Sequence, residues 1–266
     1  MKFDNYFKSK TNEPERAAEV RDEMLFRQPQ CTHVGDCPIC FLPLSLDPYK
    51  STLQSCCSKV ICKGCRLANK RREAKKNLRH SCPLCRQPLP RSEYEVKMNS
   101  MRRVAANDPV ALQERGKKHY EKEHYRGAYK YWKKAAELGN VDAIYLLSLL
   151  YRDGRGVEKN EAKEWYQLEE AAIAGHTGAR FTLAHHEKNR RGNTDRALKH
   201  LIIAANLGCD YSMGALKQCY EKGEVDEDKF TAALLAYQAA VDETKSPHRE
   251  EQANYERSIE KWFCAG

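Results

Sequence analysis

The sequence predicts a mainly α chain in which a small cysteine-rich finger precedes an α-solenoid of helical-hairpin repeats. Three observations carry that expectation. Nine of the twelve cysteines fall between Cys31 and Cys85, most of them in close pairs. From about residue 108 the composition turns to Ala, Leu, Glu, Lys and Tyr. Within that second part an Ala-Ala motif ending in glycine recurs. It runs Ala135 to Gly139, Ala171 to Gly175 and Ala204 to Gly208, with an echo at Ala239-Ala240, at steps of 36, 33 and 35 residues. A period of that length is one helical hairpin per unit, each burying its apolar face on its neighbour.

The chain has 266 residues, 41% hydrophobic and 31% charged, and no apolar run long enough to span a membrane. Met1 to Lys10 carries neither an apolar core nor a small-residue cleavage site. A cytoplasmic or nuclear location is therefore expected. Under reducing conditions clustered cysteines read as metal ligands rather than disulfides. The scattered Cys209, Cys219 and Cys264 are expected to be small buried hydrophobes. Residues 1–107 hold 21 Lys and Arg against 11 Asp and Glu, so the positive charge sits at the finger end.

Taken in order, residues 1–30 are polar and expected to be mobile, with a short helix between Glu15 and Arg27. Residues 31–90 form the finger. Residues 91–107 are a connecting helix, opened by the capping-box spacing of Ser92 and Glu95. Residues 108–243 are the repeats, starting where Asp108 caps a helix with Pro109 in its first turn. Paired alanines let helices approach closely, and the glycine ending each motif can take the left-handed conformation that stops a helix. Glu243 stands where the fourth unit would need that glycine, a departure expected of a terminal unit. Residues 244–266 are a capping helix opened by Ser246-Pro247 and ending near Trp262.

The repeat residues bear a resemblance. Ala143, Leu147, Tyr151, Gly154-Arg-Gly156-Val157, Ala171-Ala172 and Gly175 resemble a Sel-one-like repeat. Gly116, Ala128, Trp132 and Ala135 resemble its relative, the tetratricopeptide repeat. The resemblance implies a right-handed superhelix of helix pairs that binds a protein substrate or partner.

The cysteine spacing is Cys37-x2-Cys40, Cys56-Cys57, Cys62-x2-Cys65 and Cys82-x2-Cys85. Zinc takes four soft ligands in a tetrahedron, and a two-residue spacer turns both sulfurs of a pair toward one ion. Eight such ligands suit two zinc ions, although spacing alone leaves open which pairs share one. Cys31 and His33 lie close to the first pair but lack the paired spacing.

The order of the pairs resembles the RING finger, a cross-braced two-zinc fold. That resemblance implies one site of Cys37, Cys40, Cys62 and Cys65 and a second of Cys56, Cys57, Cys82 and Cys85. It also implies that Ile39, Pro83 and Arg86 contact a ubiquitin-conjugating enzyme, with Arg86 as the residue that steadies ubiquitin. The chain would then be a RING-type ubiquitin ligase acting without a nucleophile of its own, its repeats holding the substrate. Asn69 departs from the family's pattern, since many active members carry tryptophan there.

A non-catalytic interaction scaffold with a structural finger is the alternative. A basic run from Lys63 to Arg79, opposed only by Glu73, raises nucleic-acid binding as a third reading, weakened by the absence of interleaved aromatics. No phosphate-binding glycine loop or nucleophile elbow is present. His185-His186 is expected on the surface of a repeat helix.

Overall fold

The computed structural model describes residues 14–264, with side chains placed from 16 to 257. Helix α1 spans Pro14–Phe26. The finger follows, built on a hairpin of β1 (Ser51–Gln54) and β2 (Lys59–Cys62) and helix α2 (Lys63–Lys75). The hairpin is antiparallel, with Ser51 opposite Cys62 and Gln54 opposite Lys59. Helix α3 (Glu93–Ala105) connects it to the repeats. There the Ser92 hydroxyl accepts from Glu95 N, while the Glu95 carboxylate reaches back to Arg91 N.

Four hairpins then stack. They are α4 (Pro109–Glu121) with α5 (Tyr125–Glu137), α6 (Val141–Asp153) with α7 (Glu161–Ile173), α8 (Thr177–Arg191) with α9 (Thr194–Asn206), and α10 (Asp210–Glu221) with α11 (Glu227–Glu243). Helix α12 (Pro247–Cys264) closes the chain.

The recurring motif explains the regular stacking. Gly139, Gly175 and Gly208 all have φ between 81° and 85°. In each case the glycine N–H donates to the second alanine's carbonyl and the next N–H donates to the first alanine's. This double closure satisfies carbonyls that a helix end leaves orphaned. In two units the following residue also starts the next helix: Asn140 Oδ1 accepts from Ala143 N and His176 Nδ1 from Ala179 N. Six residues thus end one helix and aim the next. The paired alanines of these three units are fully buried except Ala136, whereas Ala239 is exposed and Ala240 half-buried. At the fourth unit Thr244 caps α11 with φ −78°, so the left-handed stop is missing there, as Glu243 requires.

The core runs along the stack. Leu112, Trp132, Leu147 and Leu150 fill its first part, Leu168, Ala172 and Leu183 the middle, and Leu198, Leu201 and Leu216 the end. Cys209 and Cys219 are buried within it, while the side chain of Cys264 lies outside the described residues. Two expectations are corrected. Residues 21–28 are docked rather than mobile: Leu25 is 2% exposed between α7 and α8, Arg21 pairs with Glu169 and Glu170, and Gln28 donates to Ile203 O. The expectation for residues 1–13 lies outside the described residues. His186 is buried rather than on the surface, its Nε2 3.4 Å from Glu164 Oε1, because its side of α8 turns onto α7. Burial pushes His186 down to about 4.

Candidate metal centre

Two cysteine knuckles carry the finger. In the first, Cys37 N donates to Leu42 O and Phe41 N to Cys37 O. In the second, Cys82 N donates to Gln87 O and Arg86 N to Cys82 O. Each knuckle is pinched by one bridge, Asp36 with Pro43 and Ser81 with Pro88. The remaining cysteines come from the hairpin and, for Cys65, from the first turn of α2. The hairpin turn carries Cys56 and Cys57, and β2 ends on Cys62, whose Sγ caps α2 by accepting from Cys65 N at 3.3 Å.

The structure gathers the eight cysteines into two quartets. Cys37, Cys40, Cys62 and Cys65 form one, and Cys56, Cys57, Cys82 and Cys85 the other, the sulfurs of each within 4.8 Å of one another. These are the two sets that the RING resemblance implies. The Cys40–Cys62 sulfurs lie 4.0 Å apart, and the Cys57–Cys82 sulfurs 3.8 Å. A tetrahedral ion with Zn–S near 2.3 Å requires sulfurs about 3.8 Å apart, so the donor set and its spacing fit zinc. Hydrogen bonding with Cys37 and burial push Cys62 up, and burial foremost raises Cys56, Cys57 and Cys65. Four thiols so crowded ionise together only around a cation. Arg249 adds positive charge from α12, its Nη2 3.4 Å from Cys40 Sγ. Each quartet can therefore hold a metal ion.

Glu73 fixes the second knuckle. It is 1% exposed and accepts from Ser81 N, Ser81 Oγ and His80 Nδ1. Burial works to raise its carboxyl, but these partners outweigh it and hold it below the usual carboxylate range. Sequence reasoning missed this role, although the one acid in a basic run was a usable signal.

Ile39 stands on the first knuckle, 36% exposed. Pro83 is half-buried and Arg86 exposed on the second. Asn69 donates from Nδ2 to Ser81 O at 3.3 Å. Cys31 is exposed and belongs to neither quartet. His33 turns away from the first quartet and stacks on His176, ring centres 4.1 Å apart. Both Nε2 atoms approach Asp142 Oδ1, at 3.2 and 3.5 Å. These three residues are close enough for a metal. However, His176 Nδ1 accepts from Ala179 N, so the neutral ring carries its proton on Nε2 and donates it to Asp142. The cluster is thus a clamp between finger and repeats. Nothing local in the sequence marks it, because its members are 109 and 34 residues apart.

The basic run is partly spent within the chain. Lys63 pairs with Glu256, and Arg71 with Glu251, both on α12. Gly64 lets α12 this close, since a Cβ there would lie 2.7 Å from His248 O.

Comparison with known proteins places the similarity in the repeats. The Sel1 repeat model matches residues 101–140, 141–168, 188–209 and 210–240. Among solved structures, the chain resembles a protective antigen of uropathogenic Escherichia coli displaying an SLR fold. Identity there is 21% and TM-score 0.44, over 57% of this chain and 34% of that one. A Sel1 repeat protein from Oxalobacter formigenes is 24% identical, with TM-score 0.40, over 46% of this chain and 97% of that one. The chain thus spans about a third of the length of the first. No curated protein matches it. Among the described residues, no helix is long and apolar enough to cross a membrane.

Proposed function

We propose that this chain, whose residues 101–140, 141–168, 188–209 and 210–240 match the Sel1 repeat model, is a ubiquitin ligase of the RING type. The repeats hold a protein substrate, and the finger recruits a conjugating enzyme already charged with ubiquitin. The observation that carries this reading is the interleaving of the two cysteine quartets, which leaves Ile39 and Arg86 exposed on corresponding knuckles. Zinc in each quartet would supply structure, not chemistry. Ile39 offers an apolar contact for the enzyme. Arg86 presents a planar fork of donors that can bridge enzyme and ubiquitin. The rate gain is positional, a shift toward the pose in which a lysine attacks the thioester. Bringing the substrate to the same chain raises its effective concentration.

A scaffold without ligase activity is the second reading. Asn69 favours it, replacing an aromatic contact with a side chain committed to Ser81 O. The seating of Arg249 on Leu42 O and Pro43 O, beside the first knuckle, favours it also.

Discharge of ubiquitin from a panel of charged conjugating enzymes onto free lysine separates the two. The ligase reading expects acceleration by the wild type, lost in folded Ile39→Ala and Arg86→Ala. No response from any enzyme, with metal bound, leaves the scaffold.

A further inference from the structure

The repeats already hold one segment, and they hold it with an unmatched charge. Leu25 of α1 sits among Leu168, Ala171, Ala172, Ala179 and Leu183. Upstream of it, Arg21 pairs with Glu169 and Glu170, and Asp22 with Arg196. This is how an amphipathic helix is read in a groove, one apolar anchor flanked by charge pairs.

Beneath the anchor lies Arg180, with no exposed surface. Its Nη1 donates to Leu25 O at 2.8 Å and its Nη2 to Arg27 O at 3.4 Å. Its Nε has no partner, and among the described residues no carboxylate pairs with it. Burial pushes the guanidinium down to about 10. His200 is equally buried beside Phe26, with both ring nitrogens unpartnered, and the Arg196 guanidinium and Lys199 ammonium lie over the Phe26 ring. Of the acids buried on α7 and α8, Glu164 pairs with Arg190 and Glu187 Oε1 meets Arg196 and Arg191 while its Oε2 has no partner, and neither carboxylate pairs with Arg180.

A buried cation is expensive unless a full negative charge meets it. The carbonyls ending a helix carry only about half a charge between them. A carboxylate at the Leu25 carbonyl would meet the Arg180 fork with two charge-assisted bonds. The chain's own continuation, Phe26-Arg27-Gln28, supplies none.

We propose that α7, α8 and α9 form a peptide-binding groove for a partner segment that places a carboxylate directly after a leucine anchor. Residues 16–28 of this chain are its tethered, imperfect occupant. Tethering keeps them seated by high effective concentration, and a better-matched partner displaces them. The inference rests on the reading of the repeats as a partner surface but not on ubiquitin transfer.

The test is binding, with no ubiquitin present. A labelled peptide of residues 16–25 ending in the free carboxylate of its leucine, and the same peptide amidated, are titrated with full-length protein by fluorescence anisotropy. Leu25→Lys opens the groove. Arg21→Glu with Asp22→Arg loosens the strap from outside the core and decides the matter if Leu25→Lys does not fold. The opened protein should bind the carboxylate peptide at least ten-fold more tightly than the wild type does, and ten-fold more tightly than it binds the amide. Arg180→Gln in the opened background should abolish that preference. Equal binding of the two peptides, or no binding to a folded opened protein, overturns the proposal. Neither outcome bears on the discharge experiment, so the two readings fail separately.

Discussion

Phe41 and Arg86 occupy one place in two knuckles, with φ 57° and 63°, each amide donating to the carbonyl of the cysteine four residues before it. Non-glycine residues pay roughly 1 kcal/mol for this left-handed conformation, and β-branched ones pay more. Glycine at either place therefore costs the fold nothing, while valine should cost about 1–2 kcal/mol. The check is the melting temperature of the metal-loaded protein with Arg86→Gly and Arg86→Val. If both variants melt alike, backbone strain is not what the position feels. Arg86→Gly then removes the side chain without disturbing the knuckle, a cleaner tool for the discharge experiment than alanine.

Glu73 should hold the second quartet's metal without touching it. Replacing it with alanine leaves the part-buried Ser81 N without its acceptor, a loss of roughly 1–3 kcal/mol. Glutamine keeps one acceptor and should lose about half as much. Metal release to a colorimetric chelator should quicken in the order wild type, Glu73→Gln, Glu73→Ala, with the faster phase accounting for one of two equivalents. Unchanged release kinetics would show that the knuckle needs no such support.

Acid should weaken the repeats through buried histidines. Burial, then the charges of Arg180 and Arg196, pushes His200 down to about 3. An unfolded histidine takes up its proton near pH 6.5. Below that pH the unfolded chain binds a proton that the folded chain refuses, and stability falls by about 1.4 kcal/mol per pH unit until the folded pKa is reached. Since neither ring nitrogen of His200 has a partner, His200→Leu should raise stability at neutral pH and flatten this loss. Urea midpoints between pH 7.5 and 4.5 are the measure, and parallel slopes for the two proteins would refute it.

Chelation should separate the two halves of the chain. Without metal the finger loses its quartets, and α12 loses the Lys63 and Arg71 side chains that pair with it and the Leu42 and Pro43 carbonyls that its Arg249 grips. Hydrogen exchange should rise across residues 31–90 and 247–257, while α4 to α11 stay protected. Loss of protection throughout would mean that the repeats depend on the finger to fold.

How much of this was legible depends on the distance over which each feature is specified. The knuckles are local: two residues between the sulfurs of a pair dictate a turn, and eight clustered cysteines, six of them so spaced, announce metal. The repeat motif is local too, since Ala135 and Gly139 close one helix end and Asn140 opens the next. The docking of α1 is different. Its one buried anchor, Leu25, stands in a polar stretch, and it is held by Arg180 and Glu169, roughly 150 residues away. The basic run is opaque for the same reason, because the acids that answer Lys63 and Arg71 lie on α12. His186 was misplaced because a histidine pair does not say which of its members faces the neighbouring helix.

The finger is pinned twice. His33 is clamped to Asp142 and His176 at the near end of the chain, and Arg249 grips Leu42 and Pro43 from the far end. A domain on one hinge sweeps a cone, whereas one fixed at two points keeps a single bearing. Whatever docks on the knuckles thus meets the repeats at a set distance and angle. The molecule would work as a caliper, and its choice of target would follow where a reactive group lies on the bound partner rather than the residues around that group.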